Sequence, residues 1–139
     1  MDVLTPEQRR RNMAAIRSKD TVPEMLLRRL VHSLGYRYRL HIRSLPGCPD
    51  LVFPRRHKVI FVNGCFWHRH NCRLGRPMPR SAANFWRTKL EGNKVRDARN
   101  RKKLRRMGWK VLVVWECQIG PRNRGKLADR VKRFLDPCL

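Results

Sequence analysis

Pro49-Asp50-Leu51-Val52-Phe53-Pro54-Arg55-Arg56-His57-Lys58-Val59-Ile60-Phe61-Val62 holds two short apolar runs joined by a basic turn. Runs of this length, rich in Val, Ile and Phe and separated by a turn, read as a β-hairpin. Before it, Tyr36, Tyr38, Leu40 and Ile42 alternate with basic residues, the period-2 pattern of a half-buried strand. The three runs together make a meander. After it, a helical pattern extends from about Ala83 to Met107, Gly108 ends it, and Trp109-Lys110-Val111-Leu112-Val113-Val114-Trp115 reads as a fourth strand, apolar enough to be central.

Helices flank this sheet. Thr5-Pro6-Glu7-Gln8 opens a helix to about Ser18, with Thr5 as cap and Arg9, Arg10, Arg11 and Arg17 on a basic face. Thr21-Val22-Pro23-Glu24 starts another, which carries Leu26, Leu27, Leu30, Val31 and Leu34 and stops at Gly35. A last amphipathic helix bears Leu127, Val131, Phe134 and Leu135. The expected order is α-α-β-β-β-α-β-α, a mixed α/β chain in one domain over residues 1–139. Helix, meander, crossover helix and returning strand is the core order of the restriction-endonuclease-like fold, an analogy that by itself gives no activity.

Charge sets the partner class. Lys and Arg number 34 against 10 acids, a formal net charge of +24 over 139 residues. Such a surface repels itself and is neutralised by a polyanion, which makes nucleic acid the leading partner. Ribosomal proteins share this balance, so charge is silent on catalysis. No apolar run reaches the length of a membrane span and the first residues lack a signal-peptide core, so a cytoplasmic location is expected. In that compartment the 5 cysteines are not expected to form disulfides. With no heptads or apolar strip, a monomer is the default.

Three patterns carry chemistry. Cys65, His70 and Cys72 form C-x4-H-x-C, and Cys117 follows the fourth strand. Thiolates and imidazole are the donors tetrahedral zinc prefers, and four of them close a structural site. The plain alternative is that Cys65 and Cys72 are small buried hydrophobes. Cys48 and Cys138 lack a histidine neighbour and read as simple thiols. Asp50 is the one acid between Glu24 and Glu91 and opens an apolar strand. A carboxylate there is costly to bury unless a cation is bound. Mg²⁺ in a DNA-cleaving site is one such cation, an arginine or lysine the other. Glu24 is a second acid for a metal or, more simply, a capping-box residue. Within residues 64–72, His68 is placed to act as a general base or phosphate contact, and Asp97 to orient it or to form an ordinary helical ion pair. Phe66-Trp67 on this basic loop, and Trp86 near the start of the long helix, are either core aromatics or wedges between base pairs.

At this point the strings Ser18-Lys19-Asp20-Thr21, Leu45-Pro46-Gly47-Cys48-Pro49-Asp50, Asn63-Gly64-Cys65-Phe66-Trp67-His68-Arg69-His70-Asn71-Cys72 and Gly108-Trp109-Lys110-Val111-Leu112-Val113-Val114-Trp115-Glu116-Cys117 resemble the very-short-patch repair (Vsr) endonucleases, over about Glu7 to Phe134. The resemblance implies a restriction-endonuclease-like fold and a Mg²⁺-dependent nick 5′ to the thymine of a T:G mismatch, left in double-stranded DNA when 5-methylcytosine deaminates. It implies Asp50 as the metal-holding acid, His68 as the catalytic histidine supported by Asp97, and Glu24 as an acid near the active site. It places zinc on Cys65, His70, Cys72 and Cys117, and DNA-intercalating aromatics on Phe66, Trp67 and Trp86, with Met13 approaching from the other groove. Mismatch-repair proteins are further partners it suggests. Arg69, Asn71 and Asn63 stand where relatives carry histidine. The last of these bears on phosphate contacts or rate.

Overall fold

Residues 21–65, 70, 72 and 83–137 are described by a computed structural model. The expected helix at residues 5–18, with Met13, lies outside them, as do Phe66, Trp67 and His68. Helix α1, Val22–Ser33, starts where Thr21 Oγ1 accepts the Glu24 N–H at 3.5 Å and Pro23 sits in the first turn. It ends at Gly35, whose φ of +90° is the left-handed stop. Strand β1 is Arg39–Leu40, β2 is Leu51–Phe53 and β3 is Lys58–Asn63. The long helix α2, Ala83–Arg106, crosses over to β4, Lys110–Trp115, and α3 is Arg124–Leu135.

The four strands form one mixed sheet in the order β1-β2-β3-β4. β2 runs antiparallel to β1 and β3, as a meander must. β4 runs parallel to β3, from Lys58↔Lys110 to Asn63↔Trp115. A parallel neighbour cannot be reached by a tight turn, and the 24 residues of α2 belong to the segment that supplies the crossover. This is the order expected from the sequence, and with the α/β architecture it is the restriction-endonuclease-like core.

Alternation along the strands sorts their side chains onto two helical layers. Leu51, Phe53, Ile60 and Val114 pack with Leu27, Leu30 and Val31 of α1 and Leu127, Val131 and Leu135 of α3. Val52 and Val59 face the other way, against Leu104 of α2, with Phe61, Trp109 and Val111 around them. Lys58 ties the layers at one end: its Nζ donates to the Phe134 and Leu135 carbonyls at 2.6 and 3.1 Å, at the end of α3 where a cation meets the helix dipole favourably.

Two expectations are corrected. The strand expected over residues 36–42 contracts to Arg39–Leu40, and both residues are exposed rather than half-buried. His41 interrupts it with a φ of +45°, a left-handed conformation no ladder tolerates. β4 is an edge strand of the described sheet rather than a central one. Its apolar run comes from helices on both faces, since Val114 meets the α1 and α3 layer while Val111 meets the α2 layer.

Candidate active site and metal centre

The turn Leu45-Pro46-Gly47-Cys48 delivers Asp50 to the start of β2. The Cys48 N–H returns to the Leu45 carbonyl at 3.1 Å, and Gly47 has a φ of +78°. Pro second and a left-handed Gly third is the type II pattern. The turn is also pressed against α2 and β3: a Cβ at Gly47 would lie 3.1 Å from Asn100 Cβ and 3.2 Å from Phe61 Cε1. Gly47→Ala is therefore expected to cost about 1–2 kcal/mol from the left-handed backbone alone. Crowding against Asn100 should also shift Asp50 and slow turnover. A melting curve and a turnover assay check both; a variant with unchanged stability and rate overturns this role for the turn.

Asp50 has a neighbour at each of its oxygens. Its Oδ2 accepts the Val62 N–H at 2.6 Å, and its Oδ1 lies 3.8 Å from His41 Nδ1. Burial pushes its carboxyl up to about 7; the neighbouring Glu24 charge adds to the rise, while the Val62 N–H and Arg28 oppose it. Glu24 has not folded back on its own helix terminus, as a full capping box would require. Its Oε2 accepts from Arg28 Nη2 at 3.1 Å and lies 3.5 Å from His41 Nε2, with both acid and arginine buried. Thr21 performs the cap alone.

A cavity of about 240 Å³ opens at these carboxylates. Glu24, Asp50, Asn63, Asp97, Asn100 and Arg101 are among its lining residues, so α1, the segment leading into β2, β3 and α2 all contribute. The sequence-predicted acids Glu24, Asp50 and Asp97 thus meet in one cleft. Cys48, read as a plain thiol, also lines it. His41 was missed by sequence reasoning. Nothing in the string Arg39-Leu40-His41-Ile42 marks a reversed backbone, and that reversal accompanies the ring's place at the acids.

The second constellation is the Cys/His group. Donor atoms of Cys65, His70, Cys72 and Cys117 all lie within 4.8 Å of one another. His70 Nδ1 is 3.7 Å from Cys65 Sγ and 3.4 Å from Cys117 Sγ. Bonds of about 2.3 Å to sulfur and 2.0–2.1 Å to nitrogen put a tetrahedral S···N edge near 3.6 Å, so the spacing fits a four-coordinate ion. Three features hold the donors. The His70 N–H reaches the Cys65 carbonyl at 3.0 Å and the Cys72 N–H the His70 carbonyl at 2.8 Å, which closes the loop. The His70 ring stacks on Trp115 at 4.2 Å and 13°. Cys65 N donates to Glu116 Oε1 at 3.3 Å, and Cys117 N to Cys65 Sγ at 3.3 Å. Without a metal charge, burial and thiol–thiol contacts push the Cys65 thiol up to about 12 and raise Cys117. A bound cation would reverse this by favouring thiolate.

Trp86, near the start of α2, is half-buried and lies outside both core clusters of the described residues. Phe85 meets it edge-on at 5.6 Å and Lys89 Nζ is 5.6 Å from its ring. The described contacts of Trp86 are thus an aromatic edge and a cation.

Comparison with known proteins identifies relatives that span most of the chain. The family model described as DNA mismatch endonuclease Vsr matches residues 1–74. The type II nicking enzyme V.XorIIP of Xanthomonas oryzae pv. oryzae is 49% identical over 136 residues, 98% of this chain and 98% of its own. The DNA mismatch endonuclease Vsr of Escherichia coli K12 is 42% identical over 128 residues, 92% of this chain and 80% of its own. The type II nicking enzyme V.NmeAIP of Neisseria meningitidis is 37% identical over 134 residues, 96% and 94% of the two chains.

Proposed function

The chain belongs to the DNA mismatch endonuclease Vsr family, and from that premise we propose that it nicks duplex DNA 5′ to the thymine of a T:G mismatch by Mg²⁺-dependent hydrolysis. The observation that carries the metal is the convergence of Asp50, Glu24 and Asp97 on one cleft, in a chain of net charge +24. A bound divalent ion would supply charge stabilisation at the phosphate and an acidified water.

The chain's own residues do the rest. Asp50, its second oxygen fixed by Val62, would hold the ion, and Glu24 faces the same space. His68 takes the proton from the attacking water, and Asp97 keeps its ring in place. The water oxygen bonds to phosphorus as the phosphodiester P–O bond to the departing strand breaks. Phe66 and Trp67, with Trp86 on α2 and Met13 from the N-terminal helix, wedge the mismatch open. Cys65, His70, Cys72 and Cys117 would hold zinc, which would fix the loop that carries His68 and the wedge. The chain works as a single-domain cytoplasmic monomer on DNA, with mismatch-repair proteins as further partners. Among the described residues no helix is long and apolar enough to cross a membrane.

A second reading, a nicking enzyme with another trigger, is favoured by the likeness to the type II nicking enzymes V.XorIIP and V.NmeAIP. Incubating the protein and Mg²⁺ with duplexes carrying T:G, a different mismatch or T:A separates the readings. Nicking confined to T:G, beside the thymine, supports the first. Equal nicking of all three supports the second, and binding without nicking overturns both.

A further inference from the structure

His41 is the one member of the acid cluster to which the proposed chemistry gives no task, yet its placement is costly. A non-glycine residue in the left-handed region is strained, and such strain persists only where surrounding contacts enforce it. Here the contacts are Arg28, Glu24 and Asp50. The ring is 11% exposed, its Nε2 3.0 Å from Arg28 Nη2 and its Nδ1 3.8 Å from Asp50 Oδ1. An arginine has donors only, so in that contact Nε2 accepts and the ring proton sits on Nδ1. Glu24 Oε2 lies 3.5 Å from the same Nε2 and favours the opposite tautomer. Arg28 is nearer, and at 3.1 Å it already partners Glu24, so the arginine decides.

We propose that His41 is a positioning residue for Asp50: Arg28, anchored on Glu24, orients the imidazole so that its Nδ1–H faces Oδ1 of the metal-holding carboxylate. Oδ2 is already committed to the Val62 N–H. The carboxylate plane is then constrained from both oxygens, one by a hydrogen bond and one by a dipole at 3.8 Å. α1 acts on the cleft through this chain of contacts, Glu24 to Arg28 to His41 to Asp50. The inference rests on Asp50 being the acid that holds the ion.

The test uses three variants of the full chain. Asn tolerates the left-handed backbone and places an amide N–H near the position of Nδ1, whereas Gln places its amide near Nε2 and Leu supplies neither. Single-turnover nicking by His41→Asn is expected within about fivefold of the parent. His41→Gln and His41→Leu should fall by about 10–100-fold and need more Mg²⁺ for half-maximal rate, the usual penalty for losing a group that orients a metal ligand. DNA affinity without metal should stay unchanged. Independently of activity, ¹⁵N–¹H spectra of the metal-free parent should show the His41 proton on Nδ1, assigned by its absence in His41→Asn. A ring proton on Nε2 overturns the proposal. So does parental rate and Mg²⁺ dependence in His41→Leu, or loss of rate in all three variants in step with their melting temperatures. Asp50→Asn run in parallel separates the premises: residual nicking there removes the metal role of Asp50, while an inactive Asp50→Asn beside a fully active His41→Leu removes only the role of His41.

Discussion

Asp50→Asn is expected to abolish nicking while making the metal-free protein more stable. An acid that holds a catalytic cation contributes several kcal/mol to the transition state, so the loss should reach about 10³-fold or more. The stability gain follows from the carboxyl's proton. In the folded chain Asp50 keeps it up to about pH 7; in the unfolded chain it is released near pH 4. Between those values the folded state binds the extra proton, so stability falls as pH rises through the window and stays lowered above it. Three units of pH correspond to about 4 kcal/mol, on the order of 10 °C in melting temperature for a domain of this size. Asn carries no charge to bury, and its carbonyl can still accept the Val62 N–H. Melting curves without metal should therefore diverge from pH 4 upward, the variant melting higher at pH 8. Adding Mg²⁺ should raise the parent and leave the variant unmoved. A variant that melts lower at pH 8, or still nicks, contradicts the assignment.

Loss of the Cys/His centre should have the second largest effect. A structural zinc contributes about 10–16 kcal/mol of binding free energy in small domains whose folding depends on it. Here the protein has two helical layers as well, so metal removal is expected to undo the segment around Cys65–Cys117 rather than the whole core. Under the zinc assignment, Cys117→Ser should lower bound zinc towards zero and drop the melting temperature by roughly 10 °C or more. A strong chelator should silence nicking, with recovery on adding zinc but not Mg²⁺ alone. Uptake must also displace the thiol protons that burial holds on Cys65 and Cys117, so affinity should weaken as pH falls. Full activity after verified loss of the ion contradicts a structural role.

What the sequence made legible was whatever local pattern controls. The hairpin over residues 49–62 announced itself through two apolar runs, and Thr21 through its place before Val22-Pro23. The Cys/His group was readable because ligand chemistry is confined to few residue types, even with Cys117 distant in the chain. Asp50 stood out by isolation, and the structure puts it where a charge is hard to keep. Other features depend on backbone sign or on partners far along the chain. Alternation in Tyr36-Arg37-Tyr38-Arg39-Leu40 says strand, but the left-handed His41 cuts it short. Glu24 matched a capping box by spacing, yet Arg28 one turn on and His41 across the cleft take its carboxylate instead. The pressure of Asn100 on Gly47 joins a turn to a helix more than fifty residues later, and no local pattern carries that.

The pairing of β3 with β4 has a consequence for assembly. Asn63 and Trp115 are opposite one another at the last rung of the parallel ladder, and Cys65 and Cys117 each follow two residues beyond. A slip of one residue would carry one cysteine about 3.3 Å along its strand, far enough to open the donor set. Only the correct threading presents the two thiols together, so an ion bound there would work as a gauge of register. A chain that mispairs after the long crossover would be unable to close the centre, and metal uptake would then mark the molecules in which the two distant strands have met in phase.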